Sequence, residues 1–470
     1  MARILLIDIP LPNEKKFGKF LSRLGSRFPP LNIILLGTIL HQKGHSVDFI
    51  FEDDSYDDIR QKLKSFNPHI VGITCMTMSY YYLKDVAEII RDYNKNIHII
   101  AGGFHPSIFP DDVMRENNEV LAVFIGEADN TLADMVSLLE KEDFSSEQLK
   151  VIPNIVFRAP DGSLHKTDSQ PFIDNLDDLP FLDYSLANNY FKRFHPAVNR
   201  HFLPLPNAAV YVSRGCPFNC VFCGRSITGS RIRSHSIEYR IDLIKHLKKK
   251  YNIGSIVFTD ELFTSKKSDI LKFCENIRKE GLENILWACG GRVDSLDDEI
   301  CQSMFAAGCR QITFGLESGS QKILNNLNKK TTVEKARTAL RLCRKNNLTV
   351  TASVILGSFG ETISTMRETY DFIMSNPIDY VGLCFFTPMP GSESYEVYKN
   401  YGELLTTDFR QFNTFSGLVF IPFGLKKEDI IYWRKKIYRD FYFRPERIYR
   451  EMRYLNNKAS WKYVFKTIFK

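Results

Sequence analysis

Short apolar runs alternate with amphipathic stretches twice along this chain, and that alternation limits the fold more than any other feature. The first series has candidate strands at Ile4–Asp8, Val47–Glu52, Ile70–Cys75, Ile97–Gly102 and Val120–Gly126. Helical stretches near Asn32–Lys43, Tyr56–Phe66, Tyr80–Tyr93 and Thr131–Lys141 separate them. Strands that read as continuous apolar runs between helices imply an α/β fold with a parallel, doubly wound sheet. The second series starts at Ala208 and contains six strand–helix units, enough for a complete or partial barrel. Its strands fall near Ala208–Ser213, Ser255–Asp260, Ile285–Cys289, Gln311–Leu316, Thr349–Leu356 and Tyr380–Phe386. A chain of 470 residues has room for both units. The expected division is a sheet domain over 1–142, a linker over 143–206, a barrel over 207–400 and a helical tail over 401–470. Within the linker, Asp161, Gly162 and Ser163 signal a hairpin.

The first strand of the second series runs into Cys216, Cys220 and Cys223, spaced C-x3-C-x2-C. Thiolates hold iron–sulfur clusters, and a four-iron cluster has four metal corners. Three protein thiolates leave one corner open, and an open coordination position points to chemistry rather than to a structural site. A zinc knuckle and three unrelated buried thiols are the competing readings. Zinc calls for a fourth nearby Cys or His, whereas Cys274, Cys289, Cys301, Cys309, Cys343 and Cys384 are all distant in sequence. The ten cysteines show no regular pairing, no apolar run reaches membrane-spanning length, and Met1 to Asp8 reads as a strand rather than a leader. A reducing, cytoplasmic location is expected.

Ligands of doubly wound sheets and of barrels sit at the carboxyl ends of the strands. In the first series those ends carry Pro30, Thr74, Thr77, Gly102, Gly103, His105, Gly126 and Glu127. Glycines there let the backbone approach a large flat ligand. In the second series they carry Asp260 and Glu261, then Arg292 with Asp294, then Glu317, Ser318 and Ser320, and later Gly357 to Glu361 and Thr387 to Gly391. Each has a plainer reading. Asp260 and Glu261 suit a helix N-terminus without any ligand. Arg292 either grips a carboxylate ligand bidentately or pairs with Asp294. Gly357 and Gly360 suit a turn.

The cysteine loop, with Phe222 before its last cysteine, resembles the signature of the radical S-adenosylmethionine enzymes. The stretch before it resembles the cobalamin-binding domain that precedes the radical domain in one subclass, through Gly102-Gly103, His105-Pro106 and Gly126-Glu127. Leu176 to Pro180 is similar to the connector of that subclass. The resemblance covers roughly Ala2 to Glu396. It implies a partial (β/α)6 barrel open to one side and a 4Fe–4S cluster on Cys216, Cys220 and Cys223. The free iron would chelate S-adenosylmethionine and release a 5′-deoxyadenosyl radical, with cobalamin as second cofactor. It places Asp260 and Glu261 near the methionine amino group, Glu317 near the ribose or amino group, and Ser318 or Ser320 near the carboxylate. The chain lacks the Asp-x-His-x-x-Gly motif whose histidine ligates cobalt, and His105 stands either as a substitute ligand or as a hydrogen-bonding loop residue. It also lacks the family's proline near Phe359.

C-methylation of an unactivated carbon on a hydrophobic small molecule or lipid is the leading expectation. A radical cyclase or rearrangement enzyme of lipid, tetrapyrrole or natural-product synthesis is the second. A methylthiotransferase would carry further N-terminal cysteines, and only Cys75 precedes Cys216. A cobalamin- or redox-sensing module is the non-enzymatic alternative. A flavodoxin or ferredoxin is the expected reductant.

The net charge of +7 is concentrated at the end of the chain: Lys426 to Lys470 contains 14 Lys and Arg against 5 Asp and Glu. Lys458, Lys462, Lys466 and Lys470 recur every four residues beside a stripe of Trp461, Phe465 and Phe469. Such a helix docks on the barrel or lies on an anionic membrane surface at the inner face. No nucleic-acid recognition module accompanies it.

Overall fold

The computed structural model describes residues 1–11, 30–194, 200, 202–225 and 227–445. Its first half is a seven-stranded sheet of β1 (Arg3–Asp8), β2 (Ser46–Ile50), β3 (Ile70–Thr74), β4 (His98–Gly102), β5 (Ala122–Phe124), β6 (Ile155–Arg158) and β7 (Leu164–Lys166), in the order β2-β1-β3-β4-β5-β6-β7. The first five strands are parallel, and β6 and β7 run antiparallel. Ile4, Leu5, Leu6 and Ile7 are all buried because helices cover both faces, which is why β1 reads as an unbroken apolar run. The strand order reverses at the β1–β3 pair, the position where such sheets open a ligand crevice.

The hairpin signalled by Asp161 forms: its carboxylate accepts from the Ser163 amide at 2.9 Å, and Gly162 donates to the Ala159 carbonyl. Its strands add to β5, so the first sheet continues through Lys166, beyond the expected end of the domain at residue 142. β5 is shorter than the expected Val120–Gly126. The chain leaves the sheet at Ile125, whose amide bonds the Asn154 carbonyl, and turns at Gly126.

The second half begins with β8 (Asn207–Val210), followed by the short β9 (Ser213–Arg214) and β10 (Arg233–Ser234). It continues with β11 (Ser255–Phe258), β12 (Leu286–Gly291), β13 (Cys309–Glu317), β14 (Thr349–Leu356) and β15 (Tyr380–Phe385). The six long strands form one parallel sheet in the order β15-β14-β13-β12-β11-β8, with β8 and β15 at its edges. β8 and β15 are not paired, so the barrel is partial and open. Helices Ile237–Tyr251, Lys267–Lys279, Asp298–Ala306, Val333–Lys345 and Ile363–Ser375 follow β10 to β14 and cover the outer face, burying Phe273, Trp287 and Phe314. The same apolar core runs on into Ile4, Leu31 and Ile34 of the first half.

The described part of the basic tail is the helix Lys427–Tyr442. It docks on the barrel and buries Ile430, Trp433, Ile437 and Phe441. Lys458, Trp461, Lys462, Phe465, Lys466, Phe469 and Lys470 lie outside the described residues. No described helix is long and apolar enough to cross a membrane.

Candidate active site

β9 and β10 pair antiparallel and pinch the cysteine loop between them. Gly215 enters the loop at φ +88°, and a Cβ there would fall 2.2 Å from the Arg231 carbonyl, so no other residue fits. The segment after helix Gln321–Asn326 supports the loop: Val221 donates to the Leu327 carbonyl at 3.2 Å, and the Asn328 amide side chain to the Asn219 carbonyl at 2.7 Å. Cys216 and Cys220 are partly exposed, Cys223 is exposed, and none is in a disulfide. Burial of the sulfur pushes the Cys223 thiol up to about 11, with Cys220 and Cys216 adding to the effect. Burial also raises Cys220, while the Lys329 and Arg292 cations draw it down. Phe222 packs into an apolar cluster with Val221, Ile355, Phe359 and Phe386. Among the described residues no three His, Cys, Asp or Glu side chains gather as around a single metal ion.

The barrel strands deliver the remaining groups. Asp260, after β11, is buried; its Oδ1 accepts from the Val212 amide and the Ser213 hydroxyl, and Oδ2 has no partner. Burial pushes its carboxyl up to about 6. Glu261 accepts from the Thr228 hydroxyl at 2.6 Å. Neither carboxylate caps the following helix, which begins only at Lys267. Arg292 is committed to Asp294 through two bonds of 2.9 Å, donates to the Lys329 carbonyl, and stacks 3.6 Å over the Phe218 ring. This is the Asp294 pairing that the plainer reading of Arg292 expects. Glu317 sits at a bulge of β13 at φ +61° and is paired with Lys329 at 2.6 Å, both side chains at 10% exposure or less. The Ser318 hydroxyl bonds Thr369, while the buried Ser320 hydroxyl has no partner. Lys329 escapes sequence reasoning, because a lysine followed by Lys330 reads as solvated charge and only the fold buries one of the pair.

Between the two sheets lies a cavity of about 290 Å³. Thr74, Gly102, Gly103, Gly126 and Glu127 line it from the strand ends of the first sheet, and Ser213, Arg214, Thr259, Asp260 and Glu261 from the barrel. Leu6, Ile33, Leu36, Phe124 and Leu132 make most of its wall apolar. Gly103 (φ +103°) turns so closely that a Cβ would stand 2.7 Å from the Thr74 hydroxyl. A large cofactor laid against these strand ends fits this donor-poor, glycine-edged wall.

Glu127 has a second partner set. It pairs with Arg233 at 2.6 Å and with Arg214 at 3.2 Å, while Asp129 pairs with Arg214 at 2.7 Å. All four side chains are under 10% exposed. The acids belong to the first sheet's last parallel loop and the arginines to β9 and β10, so the cluster ties the cysteine loop to the first sheet.

Pro30, Thr77 and His105 do not line the cavity. Pro30 precedes helix Leu31–Gln42. Thr77 is buried with its hydroxyl unbonded. His105 is 2% exposed, stacked on Tyr80 at 4.1 Å and wedged against Phe109 and Phe409. Burial lowers its imidazole to about 4, and Nδ1 has no partner. Of the first-series residues, Thr74, Gly102, Gly103, Gly126 and Glu127 come together, and these three do not join them.

Comparison with known proteins agrees with this anatomy. The radical SAM superfamily profile matches residues 210–373, and the B12 binding domain profile matches residues 20–136. An uncharacterized methyltransferase of Pyrococcus horikoshii is 31% identical over 450 residues, covering 95% of this chain and 94% of that protein. An anaerobic magnesium-protoporphyrin IX monomethyl ester cyclase of Rubrivivax gelatinosus is 27% identical over 446 residues, 94% of this chain and 77% of its own. Two solved structures share the fold. The radical S-adenosylmethionine methyltransferase TsrM from Kitasatospora setae superposes with a TM-score of 0.70 at 16% identity, over 93% of this chain and 89% of its own. The cobalamin-dependent S-adenosylmethionine radical enzyme OxsB gives 0.75 at 16% identity, over 99% and 70%. With a three-thiol loop on a partial barrel, a glycine-edged sheet facing it and a relative matched end to end, the chain belongs to the cobalamin-binding radical S-adenosylmethionine enzymes.

Proposed function

We propose that the reaction is C-methylation of an unactivated carbon on a hydrophobic small molecule or lipid. One observation carries the reading most: a single cavity is walled by the strand ends of both sheets, directly beside the cysteine loop. Cys216, Cys220 and Cys223 would hold three irons of the cluster and leave its fourth corner to S-adenosylmethionine. When bound, the cluster, S-adenosylmethionine and cobalamin supply radical generation and the methyl carrier.

The chain's own groups bind and orient. The free Oδ2 of Asp260 and the carboxylate of Glu261 stand ready to accept from the methionine amino group. The unbonded Ser320 hydroxyl suits the methionine carboxylate, while Ser318, held by Thr369, shapes the turn. Glu317 and Asp294 hold the Lys329 and Arg292 cations in place near Cys220, Glu317 offsetting part of their pull on it. Gly102, Gly103 and Gly126 would let the first sheet's backbone approach a corrin in the cavity, with Thr74 as a hydroxyl neighbour. His105, packed among aromatics and outside the cavity lining, would not reach a corrin held there. Phe218 and Phe222 would screen a cluster held there from water.

The reading includes a cytoplasmic location, a flavodoxin- or ferredoxin-type reductant and peripheral contact of residues 446–470 with the inner membrane face. A cyclase or rearrangement reaction is the second reading, supported by the likeness to the Rubrivivax gelatinosus cyclase. Anaerobic reconstitution with iron, sulfide and cobalamin, then turnover with S-adenosylmethionine and reductant, separates them. Methyl transfer predicts both 5′-deoxyadenosine and S-adenosylhomocysteine, the latter only with cobalamin. Deoxyadenosine without S-adenosylhomocysteine in the presence of the converted substrate would favour cyclisation or rearrangement.

A further inference from the structure

We propose that Arg200 is the anchor of an anion site at the floor of the barrel, and that the substrate carries a carboxylate or phosphate at the end remote from the carbon attacked. The proposal rests on the barrel interior being the reaction chamber and adds a substrate class to that reading.

The inner face of the barrel is polar and built from small residues. On β13, Gln311, Thr313, Gly315 and Glu317 alternate with Ile312, Phe314 and Leu316, which are buried in the outer core. On β14, Thr351 and Ser353 alternate in the same way with Val350, Ala352 and Val354, and on β15 Gly382 and Cys384 alternate with Val381, Leu383 and Phe385. A filled barrel would present large branched side chains at these positions. Here a Cβ on Gly382 would meet nothing within 4 Å, and one on Gly290 only the Asp260 carbonyl at 3.6 Å. The interior therefore has room.

The segment before β8 closes the amino-terminal mouth. Leu203 packs on Val257 and Ala288, with Phe202 and Leu286 beside them, and makes the apolar half of the floor. Arg200 makes the polar half. Its Nε donates to the Gln311 side-chain oxygen at 2.9 Å and its Nη2 to the Thr313 hydroxyl at 3.4 Å. Those two acceptors are successive inward residues of β13, so the guanidinium lies along the strand in the direction of the cluster loop.

Its charge has no counterion among the described residues. The buried arginines Arg214, Arg233, Arg240 and Arg292 each hold a carboxylate, and Arg200 is partly buried. Arg200 instead bonds two neutral side chains, and burial depresses its ionisation, opposed by the Cys289 thiol and by no carboxylate. A desolvated, unpaired guanidinium is costly, and the anions that match its planar fork are carboxylate and phosphate. From Gln311 to Glu317 the strand rises about 20 Å, so a substrate anchored at Arg200 and attacked near the carboxyl ends of the strands is elongated.

Titration calorimetry of the reconstituted holoenzyme with inorganic phosphate and, separately, with acetate tests the site. The wild type is expected to bind one anion per chain, and the tighter of the two probes reports whether the group is phosphate or carboxylate. Arg200→Gln is expected to weaken that anion about tenfold or more. Arg200→Lys should weaken it less, and Thr313→Val a few-fold. Unchanged affinity in folded Arg200→Gln and Thr313→Val, or no binding of either probe by the wild type, would overturn the proposal. If Arg200→Gln does not fold, Thr313→Val and Arg200→Lys carry the comparison. A wild type that binds phosphate through Arg200 but never yields 5′-deoxyadenosine keeps the site and defeats the reaction reading. One that yields 5′-deoxyadenosine with no Arg200-dependent anion defeats the site alone.

Discussion

Glu361 lies just past β14, fully buried, with Oε2 accepting from the Gly357 and Ser358 amides and Oε1 unbonded. Burial pushes its carboxyl up to about 7 from an ordinary 4.5, against the pull of the two amides. The folded chain thus keeps a proton that the unfolded chain has released, and the associated stability is present below pH 4.5 and lost as pH rises through 7. At 1.36 kcal/mol per unit the loss is about 3 kcal/mol. Urea unfolding between pH 4.5 and 7.5 should show this slope in the wild type and its absence in Glu361→Gln. An equal slope in both would locate the titration elsewhere. The turn of Gly357 and Gly360 was legible in the sequence. That it hangs on a buried carboxyl was not, because a glutamate two residues before a helix reads as solvent-facing charge.

Helix Lys427–Tyr442 answers a problem that an open barrel creates. β15 is an edge strand, and unpaired edge amides invite pairing with other chains. The Tyr438 hydroxyl accepts from the Leu383 amide at 3.0 Å. The Tyr442 hydroxyl accepts from the Val381 amide at 3.1 Å and donates to the Val381 carbonyl at 2.9 Å. Spacing of four brings both tyrosines over one helix face, and spacing of two presents alternate amides of the strand. Tyr438→Phe is expected to cost about 1–2 kcal/mol and to speed hydrogen exchange at Leu383 about tenfold. Tyr442→Phe should act at Val381 and cost less, its side chain being more exposed. Unchanged exchange at both amides would show that the strand edge needs no cover. The periodic stripe read from the sequence lies in residues 458–470, outside the described residues, and docking and membrane contact were left open for the tail; the apolar stripe of Ile430, Trp433, Ile437 and Phe441 docks the described portion on the barrel.

At the scale of the molecule, a mostly parallel sheet and a wholly parallel one, with separate topologies, face each other across one cavity. A buried ionic cluster of Glu127, Asp129, Arg214 and Arg233 joins them, alongside a shared apolar core. Breaking one partner of a buried pair leaves an uncompensated charge and costs about 3–5 kcal/mol. Asp129→Ala should therefore uncouple the halves, splitting one calorimetric transition into two and loosening the cysteine loop. A single transition at an unchanged temperature would mean that the apolar core alone joins the sheets.

Periodicity and strand-end composition were enough for both sheets, their order of appearance and the cysteine loop, because each is local: a strand's burial on two faces is written in its own residues, and three thiols lie within eight positions; that the barrel is partial came from the family resemblance, not from the pattern. Residues whose meaning depends on a partner far along the chain were not legible. Glu127 looked like a ligand contact and also clamps two arginines more than eighty positions away. Arg292 turned to its neighbour Asp294, and His105 to an aromatic stack that includes Phe409. Lys329 and Arg200 carried no signal, and Glu361 only its place at a strand end, since sequence pattern cannot tell a charge withdrawn from water from a solvated one. The alternation of strands and helices follows from local pattern, whereas the pairing of charges is decided only when the tertiary fold removes water from some of them and brings their partners within reach.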